Sequence, residues 1–188
     1  AINGGADAGT GNILLDSSAG ISQSASLTAN GLELLGSGAV TLTNPNNDVT
    51  NLAANLSTTG SSLALDYNDT NAVTVGPTVG LTDGVATVDE DATIRGGSID
   101  VSGSVTVGTA KATLEATSTS VDLQSGSQVT GDTIQLSAPG NITVIGTLSE
   151  LTPAGGAFDI DFGTGGGGAT LDLSDASFNY FGNNFGQI

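Results

Sequence analysis

Carboxylates are the side chains of this chain best suited to chemistry. The 188 residues include nineteen acidic side chains, two basic ones and no His or Cys, which excludes histidine-based triads and thiol nucleophiles. Two carboxylates at a set distance are enough to hydrolyse a glycosidic bond, and the best candidates are the acidic run at 89–91 and the pair Asp159 and Asp161. A lyase that uses a basic side chain would have only Arg95 and Lys111, which lie in different sequence repeats. We therefore predict no catalytic role, with a polysaccharide-acting enzyme as the alternative.

Calcium binding is the second chemistry that the carboxylates allow. The segment 66–71 reads Asp-Tyr-Asn-Asp-Thr-Asn, with oxygen ligands at alternate positions, as in calcium-binding loops. It lacks the glycine at the sixth position and the glutamate at the twelfth, where Pro77 stands. The alternative is that these residues form polar turns that hydrogen-bond their own backbone. The candidate calcium ligands, with no other cofactor predicted, are Asp66, Asn68, Asp69, Asp159 and Asp161.

Short strands that recur at a regular interval must position these residues. Between about residues 93 and 149, aliphatic residues alternate with polar ones over three to five positions, which is typical of strands with one buried face. Turn-forming pairs that contain glycine separate the strands. Three sets of aliphatics repeat about every 20–22 residues: Ile99, Val121 and Ile142; Ile94, Leu114 and Ile134; Val107, Val129 and Leu148.

This repeat predicts an all-β fold, a right-handed parallel β-helix (β-solenoid) whose three-faced coils hold about 20–22 residues each. An antiparallel β-sandwich also has short strands at regular spacing and is the alternative. We assign 1–150 to the solenoid coils and 151–188 to atypical Gly/Phe-rich terminal coils or a cap of the same domain. All five phenylalanines lie beyond residue 157. The residues predicted to form a cap or a self-association surface are Phe178, Tyr180, Phe181 and Phe185.

Residues 37–149 resemble the β-helical shaft of filamentous-haemagglutinin-like bacterial exoproteins, of the two-partner-secreted or autotransporter type. The resemblance rests on the segments 39–43, 47–55, 71–76 and 140–144. It implies a parallel β-helix that carries adhesive or toxic ends away from the cell. The secretion domain of that family bears an Asn-Pro-Asn-Gly-Ile motif, whereas Asn44-Pro45-Asn46 is followed here by Asn47-Asp48, so a plain turn is predicted at that position.

The charge of the chain narrows its partners. A formal net charge of −17 argues against nucleic acid and anionic membranes, because phosphate binding depends on Lys and Arg. No segment approaches the ~20 consecutive apolar residues of a membrane span. We expect an extracellular structural or adhesive solenoid on the bacterial cell surface, whose partners are host or surface glycans. The alternative is the subunit of an extracellular filament in which identical chains stack end to end.

Overall fold

The computed structural model describes residues 5–57 and 63–144, together with the backbone of three later strands. The described chain consists of strands and connecting turns. In chain order the strands are β1 (Ala6–Asp7), β2 (Asn12–Asp16), β3 (Ile21–Ser22), β4 (Leu27–Gly36), β5 (Val40–Leu42), β6 (Asp48–Leu56), β7 (Leu63–Asn68), β8 (Ala72–Val75), β9 (Val85–Thr87), β10 (Asp91–Gly96), β11 (Ser98–Val101), β12 (Ser104–Thr106), β13 (Lys111–Ala116), β14 (Val121–Leu123), β15 (Gln128–Gly131), β16 (Thr133–Ser137), β17 (Ile142–Val144), β18 (Glu150–Pro153), β19 (Phe158–Asp161) and β20 (Leu171–Leu173).

The strands stack into a parallel β-solenoid of about 6 turns. Face 1 is a seven-stranded sheet in the order β3-β5-β7-β10-β13-β16-β19. Faces 2 and 3 are the two branches of a thirteen-stranded sheet that separate at β6, namely β8-β11-β14-β17-β20 and β9-β12-β15-β18. Every pair of strands in the described part of the chain is parallel, and each strand pairs with strands of the adjacent coils. The predicted parallel solenoid is therefore confirmed, and the sandwich alternative is wrong.

Two long strands join faces 2 and 3 near the start of the stack. Strand β6 pairs with β8 through residues 51 and 52 and with β9 through residues 54–56. Strand β4 likewise pairs with β1 near its beginning and with β2 further along. In the later coils the same path is divided into two separate strands, such as β11 and β12.

The core is a stack of small aliphatic side chains inside the coils. In β10 and β13 the inward residues Ala92, Ile94, Ala112 and Leu114 are buried, while their neighbours along each strand are partly exposed. Full burial of an aliphatic side chain stabilises a fold by roughly 1.5–3 kcal/mol. Tyr67 is a large fully buried side chain in this otherwise aliphatic interior, and its hydroxyl consequently requires a buried partner.

Of the three registers that the sequence repeat predicted, one is correct, one is correct in part and one is wrong. Ile99 pairs with Val121 and Val121 with Ile142, as predicted. Ile94 also pairs with Leu114, as predicted.

Beyond these pairs the predicted partners were wrong by two or three residues. The observed pairs are Leu114 with Leu136, Ile134 with Ala112, and Val129 with Val105 and Leu151; the predictions were Leu114 with Ile134, and Val129 with Val107 and Leu148. A shift of two residues keeps every aliphatic side chain on the same side of the strand, so the hydrophobic pattern cannot detect it. The turns differ in length from coil to coil, and they fix the register.

The last strands continue the stack past residue 150. Strands β18, β19 and β20 pair with β15, β16 and β17 in parallel register. The predicted cap residues Phe178, Tyr180, Phe181 and Phe185 lie outside the described residues, so the cap stays a prediction. The described part of the chain holds no helix with the length and apolarity of a membrane-spanning helix.

Candidate functional site

The outer surface of face 1 carries two straight columns of polar side chains. Because side chains alternate along a strand, every second residue of β7, β10, β13 and β16 falls on this surface. The parallel register aligns the first column as Asp66, Thr93, Thr113 and Gln135, and the second as Asn68, Arg95, Glu115 and Ser137. In the next strand, β19, the backbone of Asp159 pairs with Gln135 and that of Asp161 with Ser137.

Four of the five predicted calcium ligands belong to strands of face 1, but these strands lie far apart in the stack. Asp66 and Asn68 belong to β7, whereas Asp159 and Asp161 belong to β19, with three strands between them. Four strand spacings amount to about 19 Å. The two pairs therefore cannot share one ion.

Arg95 links three adjacent coils at the centre of the columns. Its Nη1 donates to Asp66 Oδ1 over 2.6 Å, and its Nε donates to Glu115 Oε2 over 3.1 Å. The three side chains lie on β7, β10 and β13, so one guanidinium connects successive layers of the stack. All three are partly exposed, which limits such ion pairs to about 0–1 kcal/mol each.

A pocket of about 340 Å³ opens beside this ion pair network on face 1. Polar side chains of β10, β13 and β16 line it, among them both of the basic residues of the chain, Arg95 and Lys111. The sequence reasoning separated these two residues because they lie in different repeats. In a parallel stack, however, residues on adjacent coils are close neighbours, with strands ~4.8 Å apart.

Asp69, the remaining calcium candidate, is a buried acceptor inside the stack. Its side chain is 2% exposed. Oδ2 accepts hydrogen bonds from Tyr67 Oη (2.6 Å) and from the backbone N–H of Val49 (2.9 Å), and Oδ1 accepts one from the N–H of Asn71 (2.9 Å). Burial raises the pKa of the Asp69 carboxyl group, and these three hydrogen bonds partly offset that effect. Burial and the neighbouring Asp69 carboxylate raise the pKa of the Tyr67 hydroxyl.

These contacts match the polar-turn alternative for the segment 66–71. Asp69 accepts a hydrogen bond from the backbone two residues further on, as in an Asx-turn, while Asp66 is bound to Arg95. No group of three acidic side chains suited to a metal ion occurs among the described residues. The calcium hypothesis, whose other ligands lie on β19, stays a prediction.

Asn47 is a buried bridge that the sequence reasoning missed, since the segment was predicted to be a plain turn. Its side chain is fully buried. Oδ1 accepts from the N–H of Leu27 in the coil before, at 2.9 Å, and Nδ2 donates to the carbonyl oxygen of Asn68 in the coil after, at 2.9 Å. Gln23 and the carbonyl of Leu42 complete its contacts. One amide side chain therefore connects three coils.

The acidic run proposed for hydrolysis binds backbone of the next coil. Asp89 Oδ1 accepts from the N–H of Thr109 at 2.8 Å, and Asp91 Oδ1 accepts from the N–H of Lys111 at 2.8 Å. Asp89 adopts a φ of 54°, a left-handed conformation that Asp tolerates better than most residues. Glu90 is 8% exposed. Asp89 and Asp91 therefore contribute to coil-to-coil contacts.

A further feature without a sequence signal is the loop 76–84, which connects β8 of face 2 to β9 of face 3. Glu33, on β4, is nearly buried beneath it. Glu33 Oε1 accepts hydrogen bonds from Thr82 Oγ1 (2.7 Å) and from the N–H of Leu81 (3.1 Å). The side chain of Leu81 is 99% exposed at the tip of this loop. The partners lie almost fifty residues apart in sequence, which is why local patterns cannot reveal the contact.

Comparison with protein-family models, with curated proteins and with solved structures gave no significant match to this chain.

Proposed function

We propose that this chain is a non-catalytic structural and adhesive β-solenoid of an extracellular bacterial surface protein. We further propose that residues 37–149 serve as part of a filamentous-haemagglutinin-like shaft. The shaft gives reach, and its outer faces present polar side chains to a partner on a neighbouring cell or surface.

The observation that carries the proposal is that polar side chains form hydrogen bonds to adjacent coils. Asn47, Asp69, Asp89, Asp91 and Arg95 each bond to groups of an adjacent coil. These five coil-bridging residues include carboxylates and a basic group of the kinds that catalysis requires, yet their hydrogen bonds run along the axis of the stack. Such bonds favour a rod that resists unravelling.

The charge supports the same proposal. A chain with a formal net charge of −17 stays soluble and repels its own copies laterally. Such a surface suits a rod that extends into the medium.

Surface labelling and a turnover screen test this proposal together. Antibodies to the chain are expected to label intact cells of the source organism as strongly as permeabilised ones. The purified chain is expected to release no product from pectin, alginate or neutral polysaccharides. Label restricted to permeabilised cells would overturn the extracellular assignment, and turnover that survives repurification would overturn the non-catalytic one.

One observation favours end-to-end stacking as a second candidate function. Strand β2 pairs with β4 on one side, and its other edge has no partner strand in the described part of the chain. Its inward residues Ile13 and Leu15 are only partly buried against the core. An open edge beside exposed apolar residues is suited to accept another coil, which a second copy would provide.

Electron microscopy of the purified chain separates the two candidates. Filament formation predicts fibres for the wild type and dispersed short rods for Ile13→Asp, which places a charge at the open end. The control is Leu14→Asp, which changes the 57% exposed outward residue of the same strand and should leave fibres intact. Dispersed rods for the wild type would refute stacking.

A further inference from the structure

The face 1 pocket gathers the rarest side chains of the molecule. The chain has two basic residues in 188, and both line the same pocket. The two residues come from adjacent coils, and the sheet register brings them to one surface. A concave site lined by polar side chains offers hydrogen bonds to a polar ligand.

The two basic side chains differ in whether they already form ion pairs. Arg95 is engaged by Asp66 and Glu115. In the described chain both ion pairs involve Arg95, so the ammonium group of Lys111 forms none there. It offers three donors and a positive charge to a ligand.

The pocket is also asymmetric along the strand direction. Lys111 stands at the beginning of β13 and Glu115 lies four residues further on, a distance of about 13 Å along an extended strand. The Lys111 ammonium attracts an anionic group to its end of the pocket, against the Asp91 carboxylate that the Lys111 N–H binds there, whereas Glu115 repels one from the other end. Hydroxyl and amide groups of Thr113, Gln135 and Ser137 line the pocket with them, and they can both donate and accept hydrogen bonds.

We propose that this pocket binds a saccharide unit that carries a carboxylate, in other words a uronic acid residue of an acidic glycan. Lys111 binds the carboxylate, and Thr113, Gln135 and Ser137 bind the ring hydroxyls. Glu115 accepts a hydrogen bond from a hydroxyl at the opposite end of the ligand. The inference rests on the proposed adhesive function, because it names the ligand class for one face of the rod.

The direct test is an NMR titration of the ¹⁵N-labelled chain with trigalacturonic acid, with neutral maltotriose as the matched probe. We expect fast-exchange shifts of the backbone amides around Lys111, Thr113 and Gln135 with the acidic sugar only. A single charged contact with a few hydrogen bonds corresponds to a Kd on the order of 1 mM. Equal shifts with maltotriose, or shifts that cluster on another face, would overturn the proposal.

Substitutions test which side chains contact the ligand. Lys111→Gln is expected to weaken binding about tenfold or more, since hydrogen bonds to charged groups are the stronger ones. Lys111→Arg keeps the charge, so its affinity should stay within about threefold of the wild type. Thr113→Ala is expected to weaken binding severalfold, and its matched control is Thr106→Ala, the same change on the outside of face 3. Wild-type affinity in Lys111→Gln would contradict the assignment, provided that its amide spectrum shows the native fold.

The test distinguishes this inference from the function on which it rests. Absence of binding to any uronate would refute the pocket assignment, while surface labelling and the turnover screen would still decide the structural role. Cleavage of trigalacturonic acid during the titration would retain the site and refute the non-catalytic proposal.

Discussion

Two regions of the same stack turn its corners in different ways. In the first region (residues 27–57 and 63–75), β4 and β6 run from face 2 into face 3 without a break. Buried side chains, those of Asn47 and Asp69, close the corner between faces 1 and 2 there. In the second region (residues 91–144), each coil has separate strands, and backbone groups close the same corner through Gly97 N–H to Asn71 O and Gly140 N–H to Thr119 O.

The difference shows two solutions to one requirement. A corner exposes backbone N–H and C=O groups that must find partners when they are buried. A buried amide or carboxylate side chain provides these partners, and no other residue type fits in its place. Glycine allows two backbones to approach closely enough to pair with each other, and any side chain at its position would prevent the approach. The two regions should therefore fail through different substitutions.

The largest expected effect is the loss of Asn47 in the first region. Asn47→Ala removes the partners of the Leu27 N–H and of the Leu42 and Asn68 carbonyls. Each unsatisfied buried group costs roughly 1–3 kcal/mol, so we expect a loss of about 3–5 kcal/mol in the free energy of unfolding. Urea unfolding measures it, and Asn46→Ala, an exposed neighbour, is the control. Equal stability of the two variants would show that the amide bridge contributes little.

In the second region we expect substitution of a glycine to destabilise the fold. Gly103 lies between β11 and β12, at the corner between faces 2 and 3. A Cβ at this position would overlap the carbonyl oxygen of Gly76 in the coil before, so Gly103→Ala must push the two coils apart. Overpacking of this kind costs about 1–3 kcal/mol. The control is Ser102→Ala, the exposed residue before it. If Gly103→Ala unfolds at the same urea concentration as the control, close backbone approach does not hold this corner.

Strand positions could be predicted from the sequence because alternation is a local property. The inward residues Ile99 and Val101 belong to β11, and Val121 and Leu123 belong to β14, as expected. The second region gave the clearest repeat because its strands are short and separated by turn residues. The exact register could not be predicted, since Leu136 and Ile134 fit opposite Leu114 equally well by hydrophobicity.

The site could be predicted less well, because its contacts join residues about twenty positions apart. Asn47 lies in a run that resembles any polar turn, and only the stack brings the Leu27 N–H to its side chain. Arg95 and Lys111 looked separate for the same reason. The residue types were visible in the sequence, whereas their neighbours depended on coil lengths.

A pH series tests the contribution of Asp69, the acidic one of the two side chains that close the corner between faces 1 and 2 in the first region. Burial raises the pKa of this carboxyl above its ordinary value of 3.8. Because the folded state holds the proton more tightly, Asp69 contributes stability that is fully present below pH 3.8 and lost as the pH rises through the folded pKa. We expect the wild type to gain stability relative to Asp69→Asn as the pH is lowered from 7 to 4. Urea unfolding at several pH values measures this difference.

The exposed Asp16→Asn provides the reference for the general effect of removing one negative charge from a highly acidic chain. The opposite trend, in which Asp69→Asn gains on the wild type at low pH, would mean that the three hydrogen bonds outweigh the effect of burial.

The smallest expected effect concerns the ion pairs of Arg95 on the outside of the second region. Arg95→Gln removes the ion pairs to Asp66 and Glu115, but all three side chains are partly exposed, so the loss should stay below about 1 kcal/mol. The reference is Lys111→Gln, which removes the same charge from the same face without breaking an ion pair among the described residues. Unfolding in low salt and in about 1 M salt measures both variants, and screening should narrow their difference. A loss of several kcal/mol for Arg95→Gln alone would show that the second region also depends on a side-chain bridge, and the contrast between the two regions would then be confined to the corners.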